Sequence, residues 1–164
     1  MKKYLTLLIL ILLSIIASAQ NYISLSNSLS AVPGNILIKT NSSIEVGKQW
    51  DVFSLGIVAG ESRLNELSDL STTYSEIRSH LNIFQQGKFA NIFTIGTGYV
   101  ADQDHTMLLE IDYSMEYLLS DQFHISINAG QYFYSGNLNN TNETFVGLSI
   151  KYLFKQNKTN GNKN

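Results

Sequence analysis

From Tyr22 to Phe154 the chain alternates apolar with polar or small residues at a period of two, and nowhere does an apolar face at helical spacing persist for three turns. Successive side chains of a strand point to opposite faces, so this pattern predicts β-structure throughout. The alternation is sharpest in three segments. In Tyr74 to Phe84, Ser75, Ile77, Ser79, Leu81 and Ile83 share one face and Tyr74, Glu76, Arg78, His80 and Asn82 the other. In Met107 to Leu119, Leu109, Ile111, Tyr113, Met115 and Tyr117 oppose Glu110, Asp112, Ser114 and Glu116. In Thr144 to Phe154, Val146, Leu148, Ile150, Tyr152 and Phe154 oppose Gly147, Ser149 and Lys151. Tyr22 to Ser30, Ile36 to Gly47, Asp51 to Glu61, Phe89 to Val100 and Phe123 to Tyr134 alternate with less contrast, which brings the expected number of strands to eight.

The predicted connections alternate in length. Residues 48–50, 85–88 and 120–122 are tight turns, whereas 62–73, 101–106 and 135–143 are longer and polar, with 31–35 a shorter member of that set. An up-and-down meander gathers the tight turns at one end and the longer loops at the other, the asymmetry of bacterial transmembrane barrels.

Alternation alone does not say which face points inward. A soluble lipocalin-like barrel has an apolar, ligand-binding interior, and a membrane barrel inverts it. The polar face carries Lys39, Glu45, Glu76, Arg78, His80, Glu110, Asp112, Glu116, His124 and Lys151 among Gly, Ser, Thr and Asn. A solvated face would hold far more Lys and Glu, whereas a filled lumen favours small residues with a few mutually paired charges. The other face is continuous Ile, Leu, Val, Phe and Tyr, as lipid requires of every strand. Aromatic residues cluster near the tight turns and the end of the last strand (Trp50, Phe53, Phe84, Phe89, Tyr117, Phe123, Tyr152 and Phe154). A second group (Tyr74, Tyr99, Tyr132, Phe133, Tyr134 and Phe145) lies near the opposite ends. Two aromatic bands around an aliphatic middle are expected at the two membrane interfaces. The reading is an all-β, eight-stranded, antiparallel up-and-down transmembrane β-barrel.

The segment before the first strand agrees with an exported protein. Lys2 and Lys3 precede an apolar run from Leu5 to Ile16, and Ala17-Ser18-Ala19 then supplies small residues before Gln20. This is the three-part layout of a secretory signal peptide, too short for a membrane span of about 20 apolar residues. The expected organisation is a signal peptide over 1–19, a barrel over 20–154 and a disordered polar tail over 155–164. The lysine pair, the Ile/Leu-rich core and the following Gln resemble signals common in Bacteroidota.

Composition closes off several functions. The absence of cysteine excludes disulfide scaffolds, thiolate metal sites, thiol catalysis and a lipidated N-terminal Cys. Removing Lys2 and Lys3 with the signal deepens an already acidic balance, so no nucleic-acid partner is expected. No Gly-rich phosphate loop is present, and no cofactor is expected.

Eight such strands, Arg78 and Lys151 among lumen carboxylates, and the terminal Tyr152-Leu153-Phe154 resemble the small eight-stranded outer-membrane barrels, the OmpX-like proteins and the membrane domain of OmpA. The likeness covers Tyr22 to Phe154, while Lys155 to Asn164 extends past the aromatic end at which such chains often stop. It implies residence in the cell outer membrane with lipid as the surrounding partner. It also implies a non-enzymatic role in envelope integrity, or in binding an extracellular or envelope protein through loops 62–73, 101–106 and 135–143.

Two chemical readings stand beside it. The polar-face charges Glu45, Glu76, Arg78, His80, Glu110, Asp112, Glu116, His124 and Lys151 are expected to form a paired lumen network, since eight strands leave an interior just wide enough for side chains. Alternatively, His124-Ile125-Ser126-Ile127-Asn128 resembles the His-x-Ser-Asn motif of outer-membrane lipid A deacylases. That resemblance would make Ser126 the nucleophile, His124 the base and Glu143 its orienting acid. It departs from the motif where Ile127 separates Ser126 from Asn128, and His124 and Glu143 fall near opposite strand ends. Asp102-Gln103-Asp104-His105 reads as a solvated acidic loop rather than a cation site, because the full calcium-loop pattern is missing. A last alternative is a periplasmic subunit that pairs with a larger assembly through an open sheet edge, should the first strand fail to close the barrel.

Overall fold

The computed structural model describes residues 19–31, 38–64, 71–101, 106–136 and 141–155. The expected signal peptide up to Ser18, the Asp102 to His105 segment and the tail beyond Lys155 lie outside these residues. Eight strands follow in chain order: β1 (Gln20–Ala31), β2 (Ile38–Gln49), β3 (Phe53–Leu64), β4 (Ser71–Gln86), β5 (Phe89–Val100), β6 (Met107–Leu118), β7 (Phe123–Ser135) and β8 (Thr141–Leu153). Each pairs antiparallel with its chain neighbours, and β1 pairs with β8 from Tyr22↔Leu153 to Ala31↔Thr144, so the sheet closes into a barrel. Closure removes the edge that an edge-pairing subunit would need. The seam continues past the ladder, where the Phe154 N–H donates to the Asn21 carbonyl at 2.9 Å and Gln20 Nε2 to the Phe154 carbonyl at 2.9 Å.

Local chemistry explains the tight turns. Gly87 sits at φ 59°, a left-handed conformation that costs glycine little, and lets β4 reverse into β5 through residues 87–88. Between β6 and β7, the Ser120 hydroxyl accepts from the Phe123 N–H at 3.1 Å and ties the turn together.

Three strands, β3, β4 and β8, run further towards the loop end than the alternation predicts. Residues 62–64, 71–73 and 141–143, expected in loops, belong to them. Polar residues such as Ser62, Thr72 and Thr73 read as loop in the sequence, yet the ladder of β3 and β4 continues through them because each partner's backbone groups need a mate.

Side chains alternate strictly between lumen and exterior, and the apolar face is the exterior one. Ile57, Ile127 and Leu148, all mid-strand, are 64%, 66% and 63% exposed, whereas Glu76, Glu110 and Glu116 are buried inside. One register shift interrupts the pattern. Asn82 pairs with Ile92 but Phe84 with Asn91, so Ile83 is an extra residue in β4. This bulge turns Phe84 outward, away from the Arg78 face whose parity it shares in the sequence.

At the turn end the aromatics meet in separate groups: Trp50–Phe53 at 5.8 Å, Phe89–Tyr117 at 4.9 Å, and Phe123–Tyr152 at 4.8 Å with Tyr152–Phe154 at 5.2 Å between centroids. The second band is largely not there. Tyr74, Tyr132 and Phe145 are buried in the lumen, where with Val58, Val100 and Leu108 they form its apolar core, and Tyr134 packs against them. Only Tyr99 and Phe133 of that group share the outward parity. The reason is parity: Tyr74 lies two residues from Glu76, and Phe145 two from Gly147, so each shares the inward face. Tyr132 and Phe145 stack at 4.3 Å with their planes 20° apart.

Candidate functional site: the charged lumen

Among the described residues, three ion-pair clusters lie in the interior. At its middle, Arg78 on β4 places Nη2 2.6 Å from Glu76 Oε1, Nε 2.8 Å from Glu110 Oε2 and Nη1 3.7 Å from Glu45 Oε2. All four side chains are almost wholly buried, a burial that only multiple pairing makes tolerable. Glu45 also accepts from the Tyr22 hydroxyl and from His80 Nε2 at 2.7 Å, and His80 Nδ1 lies 2.9 Å from Thr94 Oγ1. Gly56 makes this cluster possible, since a Cβ there would overlap the Glu45 carboxylate.

Towards the turn end, Glu116 on β6 holds His124 Nδ1 at 2.8 Å and Lys151 Nζ at 2.7 Å. A carboxylate only accepts, so the contact puts a proton on Nδ1. Towards the loop end, Glu143 on β8 pairs with Lys39 on β2 and accepts from the Ser30 hydroxyl at 2.9 Å, beside an Asn41 amide that donates to Ser30 Oγ at 3.1 Å. Lys39 Nζ also stands 5.6 Å from the centre of the Tyr134 ring.

The sequence-predicted network residues all lie on the lumen face, and all but Asp112 form the ion pairs of two of these clusters. Asp112 is buried beside the central one, and its Oδ1 has no hydrogen-bond partner among the described residues. The third cluster, Lys39 with Glu143, is absent from the predicted network. Its signal was the parity Glu143 shares with Phe145 and Gly147.

The hydrolase constellation does not assemble. Glu143 lies opposite Tyr132, eight residues along β7 from His124, about 26 Å at the usual rise of a strand. His124 is oriented by Glu116 instead, and Ser126 shares its hydroxyl with Ser149. Among the described residues no set of three or more His, Asp or Glu side chains is grouped to hold a metal ion. A mouth of about 440 Å³ opens at the turn end, lined by Trp50, His80, Asn82, Glu116, His124 and Lys151, and a polar gap of about 40 Å³ lies beside Arg78 and Asp112. The loop half of the lumen is filled by Tyr74, Tyr132 and Phe145.

This closed ring of eight antiparallel strands recurs in solved structures. Neisserial surface protein A superposes with a TM-score of 0.57 at 7% identity, covering 84% of this chain and 97% of that one. The N-terminal β-barrel domain of Pseudomonas aeruginosa OprF gives 0.53 at 12% identity, covering 82% and 99%. The fold is that of the small eight-stranded outer-membrane barrels. The Yersinia pestis outer-membrane protein Ail, solved in a phospholipid nanodisc, shares this barrel at a TM-score of 0.50 and 11% identity, with 83% and 99% covered. No family model and no curated protein matches the chain. At such low identity the likeness carries the barrel's architecture and none of its neighbours' roles.

Proposed function

We propose that the mature chain is a non-enzymatic integral protein of the outer membrane, exported by its N-terminal signal. It serves envelope integrity or surface binding through the connections at its loop end. One observation carries the reading: aliphatic side chains stand exposed around the full circumference, from Leu25 and Ile44 through Ile57, Ile77, Ile95, Ile111 and Ile127 to Leu148. A soluble protein rarely leaves so large a continuous apolar surface in water, whereas a bilayer demands it. The lipocalin-like alternative needs the opposite arrangement, with aliphatics inside. Support for a non-enzymatic role comes from the lumen, whose candidate nucleophile, base and acid are each engaged with other partners.

The test is fractionation of cells expressing the full chain, followed by electrophoresis of carbonate-washed outer membranes with and without boiling. Retention in that fraction with a mobility shift on boiling is the expected result. Recovery as a soluble periplasmic protein without a shift would overturn the proposal.

A further inference from the structure

Charge in the middle of the lumen does not balance within the chain. Four carboxylates are buried there, those of Glu45, Glu76, Glu110 and Asp112. Arg78 and His80 face them, whereas Lys151 and His124 are held by Glu116. Even a protonated His80 leaves four negative groups against two positive ones among the described residues. Asp112 is the member of the four that makes no ion pair there, and it borders the polar gap of about 40 Å³. It is 7% exposed, and its Oδ1 has no partner; the Oδ1 of Asn128, on the same gap, has none either. Water would donate to both oxygens but leave the charge, and a proton on Asp112 would remove the charge but leave the Asn128 carbonyl bare. A cation answers both. We propose that this gap is a binding site for one small alkali cation of sodium's kind, with Asp112 and Asn128 as its principal ligands.

Register brings the ligands together. Asp112 on β6 lies opposite Thr94 on β5, and Ser114, two residues on, lies opposite Asn128 on β7. Thr94 and Ser114 border the gap, and their hydroxyl oxygens have lone pairs to turn towards an ion. Carboxylate, amide and hydroxyl oxygens are the ligands of a hard cation. A single positive charge suits the surroundings, because Arg78, His80 and Lys151 also border the gap and a divalent ion would be repelled by them. Size agrees: one water needs roughly 10–15 Å³ of such space, so the gap takes a small ion with little of its hydration. An entry path exists at one end. His80, Ile92, Glu116 and Lys151 border both the gap and the turn-end mouth, whereas Tyr74, Tyr132 and Phe145 fill the loop half. The site depends on the closed barrel and not on what surrounds it.

The test follows urea unfolding of the purified barrel in an uncharged detergent by the fluorescence of Trp50, the sole tryptophan. Sodium chloride replaces choline chloride stepwise at constant ionic strength, so that general screening is equal and only the ion that fits the gap changes. In the parent the midpoint should rise with sodium and then saturate, as binding to the folded state requires. Asp112→Asn keeps the shape and removes the charge, and its midpoint should be the same in both salts. Asn128→Ala keeps the charge and loses one ligand, so it should need severalfold more sodium for half the rise. A parent indifferent to the exchange would mean that water or a proton serves the gap, and the assignment fails. It fails equally if Asp112→Asn responds to sodium as the parent does, because the ion then binds elsewhere.

Discussion

Arg78 on β4 reaches across β5 to Glu110 on β6, Nε to Oε2 at 2.8 Å, directly over Gly96. Gly96 is the register partner of both residues, and a Cβ there would stand 2.6 Å from Glu76 Oε2 and 3.2 Å from Arg78 Cγ. One missing side chain thus lets a single guanidinium serve carboxylates from β2, β4 and β6.

Replacing Arg78 by Met should therefore leave Glu45, Glu76 and Glu110 buried without their shared cation. Breaking a buried pair in this way costs about 3–5 kcal/mol. A urea titration of the refolded barrel, read by its heat-modifiable band, should show a clearly lowered midpoint. An unchanged midpoint would mean that the cluster is not held by Arg78.

Gly96→Ala should destabilise by about 1–3 kcal/mol through overpacking against Glu76 and Arg78. Gly87→Ala, whose added Cβ meets nothing, should lose about 1–2 kcal/mol from its left-handed backbone alone. Combining Gly96→Ala with Arg78→Met separates the two: the Gly96 penalty should shrink when the guanidinium it crowds is gone, as a double-mutant cycle would read.

On the exterior, Ile111→Arg and Leu148→Arg should each cost about 2–4 kcal/mol if they meet the bilayer core, and reduce assembled protein in the outer membrane. Normal assembly of both variants would be incompatible with lipid at those positions.

Ser126→Ala should fold as the parent does and leave lipid A acyl release at background, because His124 is held by Glu116 and Glu143 by Lys39. Acyl release by the parent that disappears in this variant would reverse the non-enzymatic assignment.

The aromatic filling of the loop half predicts a barrel that passes no steady current in a planar bilayer. Phe145→Ala removes the ring stacked on Tyr132, at about 3–5 kcal/mol in stability, and should produce intermittent openings where the parent is silent.

Much of this was legible in residue order. The parity of Glu76, Arg78 and His80, of Glu110, Asp112 and Glu116, and of Lys151 puts each on the inner face, and the continuous aliphatic face marks the outside. Tyr74, Tyr132 and Phe145 lie at the depth of a second interfacial band but not on its side: position along a strand reports depth, parity reports side, and their parity is that of the lumen. Lys39 and Glu143, 104 residues apart, could not be paired from the sequence. They meet because β1, lying between β2 and β8, carries only the small Ser30 at that level.

By itself, the sequence determined the period of two, the number of strands, their antiparallel order and the charge inside the apolar shell. These are local properties: each strand carries its own alternation, and short connections permit few alternatives. Tertiary structure decided what closure decides. The β1–β8 seam, the bulge at Ile83, the partners of Arg78 and the meeting of Asp112 with Asn128 at one gap depend on register between strands. Register is set by the packing of the whole ring at once, and no single segment encodes it.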